Sequence, residues 1–103
     1  MTAQEVRTII RKELADGALD MDLHGLTAIA IQTEPYEEAY LSFDLSEVFR
    51  YWTVVEEMPD TSGHTIHYDP GQYSFGPGTR TDEGVVDIGT YATFRAAFRG
   101  MWI

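Results

Sequence analysis

There is no cysteine in this sequence. A disulfide framework, a thiolate metal site and a cysteine nucleophile are all excluded, and the fold must be held by packing, which suits a reducing compartment. Long hydrophobic runs are also missing, since no window approaches the roughly 18 apolar residues of a membrane span. The opening Met1-Thr2-Ala3-Gln4-Glu5 has no basic stretch followed by an apolar run and does not read as a signal peptide. The expected location is cytoplasmic, with no membrane partner.

Positive charge is the third scarcity. Seven Lys and Arg stand against seventeen Asp and Glu, a net charge of −10. The imbalance is regional: residues 13–60 hold twelve carboxylates and a single arginine, Arg50, while the remainder is close to neutral. Such a field repels phosphate backbones and anionic membranes, and it speeds association with basic proteins in a salt-sensitive way. Direct nucleic-acid binding is therefore not expected. Acidity spread evenly would serve solubility alone; its clustering here is what points to a partner.

What is present is ordinary core material. Hydrophobic residues fill 44% of the 103 positions, a globular composition at the size of one domain. Thr2 and Glu5 have the capping-box spacing, and Val6, Ile9, Ile10 and Leu14 share one helical stripe. This predicts a helix over residues 3–15, stopped by Asp16-Gly17. Residues 26–32 and 39–45 are apolar and β-branched and read as neighbouring antiparallel strands, interrupted by 33–38 with its Pro35. Residues 48–57 would align Val48, Trp52 and Val55 on a helix, but they are rich in strand formers and read as a strand. Residues 64–69 pair with it as a hairpin across the turn-dense segment 58–63.

Two prolines and four glycines make residues 70–84 read as one long irregular loop. Residues 85–88 then add a short strand, and Thr90 caps a helix whose apolar stripe is Tyr91, Phe94, Phe98 and Met101. That stripe is a core face or, in the alternative, a homodimer seam, and Trp102 ties down the chain end. The expected fold is α+β, a single acidic domain over residues 1–103. It has an antiparallel sheet of four to five strands with an N-terminal and a C-terminal helix packed on it. Val6, Ile10, Leu14, Ile29, Ile31, Phe43, Phe94 and Phe98 are its expected core.

Motifs that carry chemistry are weak. Asp20, Asp22 and Gly25 have calcium-loop spacing, but His24 stands at the third ligand position and Ile31 at the closing one, so no metal is expected. Gly76-Pro77-Gly78-Thr79-Arg80 is glycine-rich without a Gly-Lys-Ser/Thr ending, and there is no Gly-x-Ser-x-Gly elbow. His64, His67 and Asp69 form the one histidine cluster and the centre of an alternative reading as a small metal-dependent or hydrolytic enzyme. Strand alternation puts His67 and Asp69 on one face and His64 on the other, which favours a hydrogen-bonded hairpin histidine over a ligand set.

Nine of the thirteen aromatic residues lie between positions 36 and 75, among acidic neighbours. Two helices cover one face of a sheet, so aromatics beside carboxylates on the other face would suit a basic protein surface. The expected function is a non-catalytic protein-binding inhibitor that occludes a basic, nucleic-acid-handling partner. Its contact residues are Glu34, Tyr36, Glu37, Glu38, Asp44, Glu56 and Glu57, and no cofactor or catalytic residue is expected. In charge and size alone the chain resembles phage anti-defence (anti-CRISPR-like) proteins and toxin immunity proteins. A phage or bacterial structural subunit, oligomerising through the C-terminal helix, is the third reading.

Overall fold

The structure, a computed structural model, describes residues 1–16, 34–56 and 63–100. Helix α1 (Ala3–Asp16) opens on the capping box: Glu5 N–H donates to Thr2 Oγ1 and Thr2 N–H to Glu5 Oε1, both at 3.2 Å. Five described strands follow: β1 (Tyr36–Leu41), β2 (Val48–Glu56), β3 (His64–Asp69), β4 (Ser74–Thr81) and β5 (Gly84–Asp87). Helix α2 (Phe94–Gly100) comes last. No described helix is long and apolar enough to cross a membrane.

The α+β content is as expected and the described strands number five, within the expected four to five, but they are not all the expected ones and the sheet is not open. Each strand pairs antiparallel with the next, and β5 then runs parallel to β1 through Tyr40–Val85 and Leu41–Val86, closing a barrel. Closure removes the sheet edges that would otherwise template aggregation. Two local features accompany the closure. One is a bulge between Thr53 and Val55 in β2, which increases local twist. The other is the pair Gly76 and Gly78 in β4. A Cβ on Gly76 would lie 2.0 Å from the Gly89 carbonyl oxygen and 2.7 Å from the His67 ring, and one on Gly78 would lie 2.7 Å from Thr65 Oγ1. These glycines serve close approach inside a strand rather than a turn.

Several sequence expectations are corrected. The 70–84 loop is for the most part β4, buried over its first five residues. β1 starts at Tyr36, inside the segment read as an interruption, and stops at Leu41, so Phe43 sits in a turn and is 80% exposed instead of in the core. Helix α2 is capped by Thr93 rather than Thr90: Ala96 N–H donates to Thr93 Oγ1 at 3.1 Å, while Tyr91 bridges to Phe75. The strand expected over 26–32, Ile29, Ile31, the Asp20–Asp22–Gly25 spacing, Glu57, Met101, Trp102 and the Leu14 side chain lie outside the described residues.

The strands carry different fillings on their two faces. Trp52, Val54, Ile66, Tyr68 and Phe75 pack with Val6 and Ile10 of α1 and with Phe94, Ala97 and Phe98 of α2 in one apolar core. Helix α1 lies against β2 and α2, and α2 against β4. Alternation sends Thr65 and His67 to the opposite face, where they meet Tyr40 and Thr53. That inner filling is polar.

Candidate functional site

The polar interior has a direction that hydrogen-bond inventory fixes. Thr53 has one hydroxyl proton and gives it to Glu38 Oε1 at 2.5 Å, so Tyr40 must donate to Thr53 Oγ1 at 2.6 Å, and Thr65 to the Tyr40 oxygen at 3.0 Å. The chain ends on the Glu38 carboxylate, which Arg80 holds from outside through Nη2 at 3.1 Å. Burial pushes the Tyr40 hydroxyl far above the ordinary phenol range, which keeps it a donor at any physiological pH.

His67, 1% exposed, is the other inner polar group. Its Nε2 donates to the Asp87 carboxylate at 2.9 Å, Asp87 also accepts from Gly89 N–H at 3.1 Å, and the ring stacks on Tyr51 at 4.5 Å. Its Nδ1 is buried, with no hydrogen-bond partner among the described residues. A histidine oriented by a carboxylate is two-thirds of a nucleophile-base-orienter set, but among the described residues no nucleophile is hydrogen-bonded to it. The cluster read from the sequence does not assemble: His67 pairs with Asp87 instead of Asp69, whose carboxylate accepts from Gly71 N–H at 2.9 Å. Among the described residues no three His, Asp or Glu side chains come together as a metal site.

Arg80 organises the acidic residues that the sequence singled out. Its Nη2 donates to Tyr36 Oη at 2.8 Å, to Glu56 Oε1 at 2.9 Å and to Glu38 Oε1 at 3.1 Å, and Tyr36 in turn donates to Glu56. Burial, followed by the Glu56 hydrogen bond and the Glu38 charge, pushes the Tyr36 hydroxyl up to about 12. For Arg80, burial disfavours the cation, but the Glu38 hydrogen bond and charge outweigh it and hold the guanidinium above its ordinary range. Beside this hub, Glu38, Arg80, Asp82 and Glu83 line an open cleft of about 420 Å³. Elsewhere Glu34 pairs with Arg7, and Glu37 lies 3.6 Å from Arg50. Of the proposed contact residues, Tyr36, Glu38 and Glu56 thus come together, around a cation that sequence reasoning placed in a loop.

Asp44 stands apart, at the β1–β2 hairpin tip. Its Oδ1 accepts from Ser46 Oγ at 2.6 Å, Ser42 Oγ at 2.7 Å and Ser46 N–H at 3.0 Å, while Ser42 Oγ accepts from Glu47 N–H at 3.0 Å. The Ser-x-Asp-x-Ser spacing of 42–46 was the available signal for this turn. Within this turn Leu45 N–H donates to the Ser42 carbonyl at 2.8 Å and Leu45 lies in the left-handed region at φ 63°, a conformation that costs a non-glycine residue roughly 1–2 kcal/mol. The Ser46 and Ser42 hydroxyls hold the Asp44 carboxyl down to about 2. A carboxyl depressed by folding stabilises fully above its unfolded value near 3.9 and loses that contribution as pH falls through the folded one. An NMR titration of the Ser46 amide should therefore show its midpoint near pH 2; a midpoint near 4 would mean that the serine contacts are not made in solution.

Charge is segregated across the molecule. The two described helices carry five of the seven basic residues, whereas the described residues from 34 to 93 hold ten carboxylates and two arginines, Arg50 and Arg80. Both arginines are paired with barrel carboxylates. Asp44, Glu47, Asp82 and Glu83 remain exposed, with no ion pair among the described residues. The chain matches no protein-family model, no curated protein and no solved structure.

Proposed function

We propose that this chain is a non-catalytic protein-binding inhibitor that presents the acidic side of its barrel to a basic, nucleic-acid-handling partner, in the manner of an anti-defence or immunity protein. The observation that carries this reading is the segregation of charge: the barrel's own arginines are neutralised internally, and Asp44, Glu47, Asp82 and Glu83 are left facing water. Exposed carboxylates without cations attract Lys and Arg on a partner and speed encounter with it. The enzyme reading would rest on His67, whose ring is sealed inside the barrel against Asp87 and Tyr51. A general base must reach its proton within hydrogen-bond distance or through one water, and burial withholds that reach.

The test is affinity capture from host extract, comparing the natural protein with the threefold variant Glu47→Lys, Asp82→Lys, Glu83→Lys, which leaves the turn-forming Asp44 in place. The natural protein should retain a basic nucleic-acid-binding protein at low salt and release it at about 1 M salt, where the screening length falls to about 3 Å. The variant should fold, with shifts within about 0.5 kcal/mol per exposed site, and retain nothing. Undiminished retention by the folded variant would refute the acidic-face reading.

A further inference from the structure

The β1–β2 hairpin holds apolar side chains in water that this fold had every means to bury. Phe43 is 80% exposed, Val48 65% and Leu45 47%, in a chain whose Tyr40, Phe75, Phe94 and Phe98 are at most 1% exposed. The three flank Asp44 and Glu47, both exposed. The three hydrogen bonds that Ser42 and Ser46 give to Asp44 all fall on one oxygen, Oδ1, so among the described residues Oδ2 is open to a second partner. A rigid turn presenting an aromatic ring beside a free carboxylate oxygen loses little conformational freedom on binding.

The occupant follows from charge. A second copy of the chain also carries −10, and two such molecules repel on approach. An anionic membrane surface is repelled in the same way. A protein whose apolar pocket is rimmed by Lys or Arg satisfies both halves of the tip. It buries the ring as a central anchor, with a water-excluding rim around it, and it gives Asp44 and Glu47 cations to pair with.

We propose that the hairpin tip, residues 42–48, is the docking anchor of this protein, with Phe43 and Leu45 entering an apolar pocket of the partner while Asp44 Oδ2 and Glu47 pair with Lys or Arg at its rim. This rests on the acidic-face reading above and names the element that makes the contact.

The test places a photo-reactive p-benzoylphenylalanine at position 43 and, in a second protein, at position 83, each cross-linked in host cells and mapped by mass spectrometry. The expected adduct from position 43 lies on a partner segment that combines apolar residues with Lys or Arg. Affinity for that partner should fall at least about thirtyfold in Phe43→Ala, the loss typical of a central anchor. Leu45→Gly provides a control for folding. It relieves the left-handed strain, so the variant should be at least as stable as the natural protein and yet bind more weakly. Adducts from position 83 but none from position 43, or Phe43→Ala binding within threefold of the natural protein, would overturn the anchor and leave the acidic face standing. An adduct with a second copy, or on a segment without basic residues, would also overturn it. No adduct from either position would sink both readings.

Discussion

Phe94→Ala is expected to destabilise the protein by about 3–5 kcal/mol, the usual cost of emptying a fully buried phenylalanine site. Phe94 is 0% exposed and lies between Phe75 of β4, edge-on at 6.0 Å, and Phe98 of its own helix at 6.3 Å. Its N–H also donates to the Glu13 carboxylate of α1 at 2.9 Å, so the residue joins both helices to the barrel. Neither neighbour can collapse into the vacated space. Phe75 is held in β4, with its N–H donating to the Tyr91 carbonyl at 2.9 Å, and Phe98 is fixed one helical turn away. Urea unfolding read by circular dichroism should show a lower midpoint with an unchanged slope. A loss under about 1 kcal/mol would mean that α2 does not dock on β4 as described.

Arg80→Ala should cost about 3 kcal/mol, the lower end for breaking a buried ion pair by removing one partner. The guanidinium is 12% exposed and bridges Glu56, 10% exposed, and Glu38, 22% exposed. Its removal leaves two carboxylates facing one another beneath the surface, and it unseats the Glu38 oxygen on which the Thr53–Tyr40–Thr65 chain ends. Arg80→Lys should recover only part of the loss, because a lysine has no second nitrogen to reach Glu38 Oε2, which Arg80 Nη1 holds at 3.4 Å while Nη2 engages Oε1. Adding Glu38→Gln and Glu56→Gln to an Arg80→Met background should recover most of it, since the penalty comes from stranded charge rather than from lost volume. If the triple variant is as unstable as Arg80→Ala, the directed hydrogen bonds of the guanidinium, rather than the stranded charge, are what matter. None of these changes touches Phe43 or Asp44, so partner binding by the folded variants should survive. That separates the hub that holds the barrel from the tip proposed to dock.

The division between those two roles is where sequence reading and structure part. The seven candidate contact residues read in the sequence as one acidic segment, yet Glu38 and Glu56 are held by Arg80 and Glu34 by Arg7. A carboxylate already paired and partly buried differs physically from one in water, and adjacency in sequence carries no trace of that difference. Phe43 was expected in the core because residues 39–45 look continuously strand-like. The structure ends the strand at Leu41, where the Asp44–serine network turns the chain back. Local hydrogen bonding by Ser and Asp competed with strand continuation and prevailed.

Features whose causes are local were determined by the sequence alone. Helix α1 follows from a cap and a stripe within four residues of one another, β2 and β3 follow from β-branched and aromatic runs either side of a turn, and the burial of Phe94 and Phe98 follows from helical spacing. The acidity needs no structure at all. Tertiary structure decided whatever depends on partners far away in the chain. Parallel pairing of β1 with β5 closes the barrel across more than 40 residues, and no residue in either strand announces which neighbour it will take. Gly76 and Gly78 read as loop residues until pairing of β4 with β3 sets His67 and Thr65 against them, and Gly89 comes to lie against Gly76. Arg80 finds carboxylates 24 and 42 positions away, and only their convergence shows which negative charges are already neutralised and which are left for another protein.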